Sequence, residues 1–442
     1  MISFQPTDDQ KLMVDSVGQY ARTVLRPKLR ETETSRGLAD AARKAGAELG
    51  LGLAALPEAL GGLGLVTAVL LEEELGWGDP GAAFALPGPG ALGFAVAELG
   101  TDEQAKAALA PFASDLDRFG AVAWGEAKPH PERPGFATTA TKSGDGWRLD
   151  GAKAYVLNAD RAASLVVFAQ VDASKGFRGV GAFLVDAKAT GVTIAERQTT
   201  LGLDAASFGG VKLDGVVVPD SARLSRHEVG TLAHVRALCT FFAKNALVVA
   251  ARAVGLSRFA FEETRAYVDT RKAFGKPIGH FQAVAFNIAD RAMDVDAARG
   301  LVWRAAAAWD AAQSGGGTQG GGGAQGGGGA QGGGGAQGGG AQGGGARGGD
   351  KAVDEALLLS AQAVAFAHEA AMRCGDDGVQ LHGGAGFMRD YAVEKLMRDA
   401  KQIGLCGMTA EHADQLAAAI ALGAPLDPGL VLPTPETQNA FV

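Results

Sequence analysis

The chain has 442 residues, enough for two or three domains, and its 47% hydrophobic and 20% charged composition excludes disorder along its whole length. The net charge is −8 and no clustered basic run is present, which argues against a nucleic-acid partner. Three cysteines, Cys239, Cys374 and Cys406, are widely spaced with no CxxC pair, so a disulfide framework or metal site is not expected and a reducing, cytoplasmic setting fits.

From the N-terminus, MISFQPTDDQ carries no basic segment followed by an apolar one, so no secretory signal is read. Asp8 and Asp9 open a run in which Leu12, Met13, Val17, Tyr20 and Ala21 recur at helical spacing. Val66 to Trp77 sets Val69, Leu70 and Leu71 beside Glu72, Glu73 and Glu74, a second predicted helix. Glycine and proline breaks at 61–64 and 87–90 separate these helices, and residues 1–118 read as an N-terminal helical domain.

The pattern changes over 119–225. The runs WRLDGAKAYVL, SLVVFAQVD, GAFLVD, VTIAE and GVKLDGVVV are rich in β-branched residues and bounded by turn formers, which predicts a small sandwich or barrel. Long helices return in 226–442, over Leu238 to Thr270, Phe281 to Gln313, Lys351 to Cys374 and Ala410 to Ala421. No stretch of about 18 apolar residues is free of charge or glycine, so no membrane span is expected. A tract of GGGGAQ-like units occupies 314–349, and its glycines lose too much backbone entropy on ordering for nothing apolar in return. It reads as a disordered insert rather than a phosphate cradle, which is short and flanked by a strand and a helix.

Helices, a small β-domain, then helices is an uncommon order, and it directs attention to particular motifs. RKAFGK at 271–276, FQAVAF at 281–286, QLHGGAGF at 380–387 and DYAVEKLMRDAK at 390–401 together resemble the acyl-CoA dehydrogenase family. PEALGGLGL at 57–65, EEELG at 72–76 and LGLDAASFGGVKLDGVVVP at 201–219 match as well, so the resemblance spans the chain apart from the glycine tract. It implies a mostly α fold with a middle β-barrel and a C-terminal four-helix bundle. It also implies FAD, an acyl-CoA thioester substrate, an electron-transfer flavoprotein or similar acceptor, and assembly as homodimers, tetramers or a heteromer with a related subunit.

A pyrophosphate needs fixed donors, and a guanidinium presents several in a planar fork. The resemblance places Arg271 there, with Phe274 and Gln282 beside it, while Gln380 adds a side chain and Gly383 and Gly384 let backbone amides approach an anion. Thr409 matches another FAD contact, and Tyr155 takes the place of the family's tryptophan over the flavin. The chemistry side departs from the pattern. The two positions that hold the family's catalytic glutamate are Gly407 and Asn245, neither of which removes a proton from carbon. Leu157 replaces a threonine near flavin N5, Ala246 an arginine, and Ala243 an aspartate near the CoA adenine, although Phe242 remains. Glu411 is the nearest carboxylate to Gly407 and a weak candidate base. His412 reads as a surface residue, Cys406 as small packing and Glu126 as a solvated carboxylate. Three readings stay open: an active dehydrogenase with a relocated base or an activated substrate, a non-catalytic subunit of a heteromer, and a binding protein without flavin.

Overall fold

The computed structural model describes residues 6–128, 135–313 and 348–429. Its first part is helical: α1 (Asp8–Tyr20), α2 (Leu29–Ser35), α3 (Asp40–Glu48), α4 (Leu65–Gly78), α5 (Pro80–Phe84), α6 (Ala91–Leu99) and α7 (Asp102–Ser114). Thr7 and Thr101 open α1 and α7 with capping boxes, each hydroxyl accepting from the N3 amide while the N3 glutamine returns a bond. α4 begins after Gly64, which has no side chain to cap it. Asp310, far along the chain, accepts from Leu65 N at 2.8 Å and Val66 N at 2.9 Å instead. A helix start that looks uncapped in sequence is thus capped across domains.

The middle part is a curled seven-stranded sheet. β1 (Phe119–Ala123), β4 (Ala162–Gln170) and β5 (Val180–Asp186) form one ladder; β2 (Thr139–Ser143), β3 (Gly146–Leu157), β7 (Phe208–Pro219) and β6 (Val192–Ile194) form the other. The ladders meet at a single corner, Thr139 opposite Gln170, and curl around a shared core that includes Leu149, Leu165, Phe183, Val211 and Val216. The sequence runs locate β3 to β7 but not β1 or β2. FGAVA and TATKS are too short and too rich in small residues to show alternation.

The last part holds α8 (Leu232–Thr270), α9 (Gln282–Gln313), α10 (Gly348–His382), α11 (Val393–Ile403) and α12 (Ala410–Ala421), with a small hairpin of β8 (Lys272–Ala273) and β9 (Lys276–Pro277) after α8. α10 packs on all four of the other helices. α8 is long and apolar enough to cross a membrane by length and composition, but 83% of its apolar window is buried inside the protein as the bundle's core helix. The glycine-rich insert expected at 314–349 lies outside the described residues except for Gly348 and Gly349, whose backbone opens α10.

The DYAVEKLMRDAK motif is a fastening between all three parts. Lys395 Nζ, fully buried, donates to Asp79 at the start of α5 (3.1 Å) and to Asp399 (2.6 Å), and Asp399 also accepts from Leu203 N at 2.6 Å. Burial disfavours the ammonium, but Asp399 and Asp79 together outweigh it and raise its pKa. One turn away, Arg398 bonds Glu33 on α2, Glu394 on its own helix and the carbonyl of Leu201.

Candidate functional site

A cavity of about 700 Å³ opens where the three parts meet. α8 supplies one wall because Phe241, Phe242, Asn245, Val248, Val249 and Arg252 recur at helical spacing and form one stripe. α4 adds Glu72 and Leu75, α6 adds Phe94, and the sheet adds Trp124, Gly125, Ala154, Tyr155 and Leu157. Leu405, Cys406 and Gly407, in the turn between α11 and α12, close it.

Asn245 and Gly407, the two positions that the resemblance assigns to a catalytic glutamate, both line this cavity. The other acid–base candidates do not serve it. Glu411 is fully exposed in the first turn of α12 and outside the cavity; its own backbone amide and the Thr409 hydroxyl hold its carboxyl below the usual range. Thr409 caps α12, accepting from His412 N at 3.3 Å, and His412 is exposed beside it. Cys406 lines the cavity, yet burial pushes its thiol up to about 12, so it presents no thiolate.

Glu126 corrects the sequence reading. Instead of being solvated, its carboxylate accepts from Ala137 N at 2.8 Å and Thr138 N at 2.9 Å and pairs with the buried Lys153. Lys153 also donates to Trp124 O at 3.0 Å and lies 3.8 Å from the centre of the Phe136 ring. Burial drives the Lys153 pKa down to about 8 against the pull of Glu126. This pair staples the Trp124–Lys128 segment to β3. Trp124 itself is wedged edge-on among Phe136, Phe168 and Phe242, with ring centres 4.4–4.9 Å apart. On β3 the register slips between Lys153 and Val156, and within that bulge Tyr155 adopts φ 54° and swings its ring out to 70% exposure.

A second, more open cleft of about 920 Å³ gathers Arg271, Phe274, Gln380, Gly383 and Gly384. Gln282, at the start of α9, stands next to its wall residue Phe281 but does not line it; Tyr155 belongs to the first cavity and Thr409 to neither. Phe274 is 97% exposed at φ 49°, and the Arg271 guanidinium has no partner among the described residues. A Cβ at Gly383 or Gly384 would meet nothing within 4 Å, so both backbones are open to the cleft. A guanidinium unpaired among the described residues, beside two residues with no side chain to block the approach, fits a pyrophosphate. In the first cavity the buried Asn158 keeps its Oδ1 without a partner while its Nδ2 donates to Phe84 O, an orphaned acceptor that fits a ring N–H. The residues present therefore fit both ends of FAD.

The sequence reading missed Glu72 and Arg252. They are the only charged residues lining the first cavity among the described residues, paired through Nε to Oε2 at 2.6 Å and Nη2 to Oε1 at 3.0 Å. Glu72 was hidden in a run of three glutamates that reads as one polar face; consecutive helical residues point about 100° apart, so the three face different surroundings.

Three family models match the chain: acyl-CoA dehydrogenase N-terminal domain at residues 7–115, middle domain at 132–216, and C-terminal domain at 235–320 and 350–419. Among curated proteins, a cyclohex-1-ene-1-carbonyl-CoA dehydrogenase of Geobacter metallireducens is 28% identical over 397 residues, 89% of this chain and 93% of that one. The caffeyl-CoA reductase-Etf complex subunit CarC of Acetobacterium woodii is 29% identical over 349 residues, 78% and 80% of the two chains. Butyryl-CoA dehydrogenase of Megasphaera elsdenii superposes with a TM-score of 0.78 at 25% identity, covering 95% of this chain and all of that one.

Proposed function

Because the chain belongs to the acyl-CoA dehydrogenase family, and is with it an FAD-dependent oxidoreductase of acyl-CoA thioesters, we propose that its reaction is α,β-dehydrogenation without the family's glutamate. The observation that supports this reading is that Asn245 and Gly407, the positions the resemblance assigns to the glutamate, line one cavity and bring no carboxylate to it. Bound FAD supplies the hydride acceptor. Arg271, Gln380 and the amides of Gly383 and Gly384 would hold its pyrophosphate end, while Trp124, Tyr155, Leu157 and the Asn158 carbonyl would position its ring. The aromatic wall of Trp124, Phe241 and Phe242 keeps water from the thioester chain.

With no positioned base, unactivated saturated thioesters turn over slowly, and the physiological substrate has a more acidic α-proton or meets a base from a related subunit. Assembly as a homo-oligomer or with such a subunit, an electron-transfer flavoprotein acceptor and a cytoplasmic setting belong to the same proposal. The Etf complex of the Acetobacterium woodii relative supports the acceptor. The test is a visible spectrum of the purified protein, followed by anaerobic mixing with saturated acyl-CoAs while flavin bleaching is recorded. We expect bound flavin and slow bleaching; colourless protein that takes up no FAD would sink the proposal.

A further inference from the structure

We propose that Glu72 and Arg252 form a recognition site for a neutral hydrogen-bonding group, a hydroxyl or carboxamide, on the acyl chain; this rests on the thioester reading above. The pair sits in the wall of the cavity that Asn245 and Gly407 line, and Arg252 lies two helical turns beyond Asn245 on the same face of α8. Its surroundings are apolar: the guanidinium carbon lies 4.4 Å from the centre of the Phe84 ring, with Leu75, Val248 and Val249 nearby along the wall.

Stability does not account for an ion pair in such a place. Taking two charges out of water offsets most of their attraction, and an apolar pair of similar volume is often as stable. The adjacent glutamates contrast with it. Glu73 is saturated by Arg258 and Arg299, and Glu74 takes both nitrogens of the Arg258 fork, forming a network that ties α4 to α8 and α9. Among the described residues, Glu72 has Arg252 alone. Arg252 in turn uses only its Nε and Nη2 edge, so Nη1 has no partner among the described residues and is not sealed off by protein.

The unspent valences specify the ligand. Nη1 offers N–H donors, and each Glu72 oxygen keeps a further acceptor position. A hydroxyl satisfies both, accepting from Nη1 while donating to Glu72, and a carboxamide does the same through its two ends. A carboxylate would accept from Arg252 but confront the charge of Glu72. A plain alkyl chain would leave the pair's remaining groups desolvated and unpaired. The bidentate clasp also argues that Glu72 is not the missing base: both of its oxygens are engaged by the Arg252 fork, which fixes the carboxylate in the wall.

The test compares thioesters by isothermal titration of the full chain with its flavin, under anaerobic conditions. The probes are hexanoyl-CoA, its isomers hydroxylated beyond the β-carbon, and adipoyl-CoA. At least one hydroxylated isomer should bind roughly tenfold or more tightly than hexanoyl-CoA. Replacing both partners, Glu72→Leu with Arg252→Met, should erase that preference and let the plain chain bind at least as well as before. Equal binding of plain and hydroxylated chains by wild type overturns the pair's role while leaving the thioester reading intact. So does a preference for adipoyl-CoA, or a hydroxyl preference that survives in the double variant. Binding of none of the probes overturns the thioester reading itself, and the site with it. The wild-type comparison decides the matter even if the double variant loses its flavin.

Discussion

Asn245 and Gly407 face each other at contact distance: a Cβ built on Gly407 would lie 3.2 Å from the Asn245 side-chain nitrogen and 3.5 Å from Ala246 Cα. The two places that the resemblance assigns to a carboxylate thus adjoin, one approached from α8 and the other from the turn before α12. They are not equivalent as engineering sites. Gly407 has φ 76°, so a glutamate there takes on left-handed strain of about 1–2 kcal/mol and crowds Asn245. Asn245 sits in regular helix. Asn245→Glu should therefore raise the anaerobic bleaching rate with saturated acyl-CoAs by roughly 10²–10⁴-fold, and Gly407→Glu by less. Rapid bleaching by the wild type, or silence of both variants, would refute this account of the cavity.

The Arg271 guanidinium lines the second cleft with no partner among the described residues. Arg271→Ala should weaken FAD retention by about 1.5–3 kcal/mol, the worth of a charged hydrogen bond, with little effect on the apoprotein's unfolding midpoint. Flavin release during dialysis, compared between variant and wild type, checks this. Unchanged retention would remove Arg271 from the cofactor's site.

Glu126 and Lys153 are a buried pair, and breaking it leaves an uncompensated ammonium. Glu126→Gln should destabilise the middle sheet by about 3–5 kcal/mol, seen as a lower urea midpoint. Burial has already lowered the Lys153 pKa to about 8, and losing Glu126, which pulls it upward, lowers it further. The sign follows: the unfolded lysine holds its proton to a higher pH than the folded one. The variant's deficit should therefore shrink as pH rises to about 8, where the wild-type lysine also loses its proton, and stay level above that. A deficit independent of pH would mean that the backbone bonds to Ala137 and Thr138, not the charge, are what Glu126 contributes.

His368 on α10 is buried with neither ring nitrogen bonded among the described residues, and burial lowers its pKa from 6.5 to about 4, only partly opposed by Glu411. Below about pH 6.5 the unfolded chain takes up a proton that the folded chain refuses until about pH 4. Its contribution is therefore fully present above about pH 6.5 and falls as the pH drops toward 4, by on the order of 3 kcal/mol in all. His368→Leu should flatten that part of the profile. Urea midpoints of both proteins at about pH 7 and pH 5 test it, and parallel profiles would overturn it.

Much of the fold was legible because long helices repeat their apolar face many times, as in α8 and α10, and β3 to β7 carry β-branched runs. What was hidden depends on partners distant in sequence. Glu126 looks solvated until Lys153 is brought under it, and α4 looks uncapped until Asp310 arrives. Glu72 is one of three adjacent glutamates, and only the packing of α4 against α8 distinguishes the two that bond into a network from the one turned to the cavity. The cofactor motifs fared better as a group than singly. Arg271, Phe274, Gln380, Gly383 and Gly384 share a cleft because the α8 end and the α10 end converge, whereas adjacency in sequence put Gln282 beside that wall but not on it.

The Lys395 fastening bears on how a substrate gets in. Swinging the N-terminal helices away from the bundle would draw Asp79 off Lys395 and break a buried ion pair, leaving the ammonium with Asp399 alone. Rotating the sheet away would break the bond from Leu203 to Asp399 as well. Both neighbouring parts are thus fastened at α11, and we expect the acyl chain to thread through a mouth of fixed width rather than be grasped by a closing jaw. Selection among chains then happens during insertion, by the shape of the passage and the polar group waiting along it, and capture should follow a single kinetic phase whose rate rises linearly with thioester concentration.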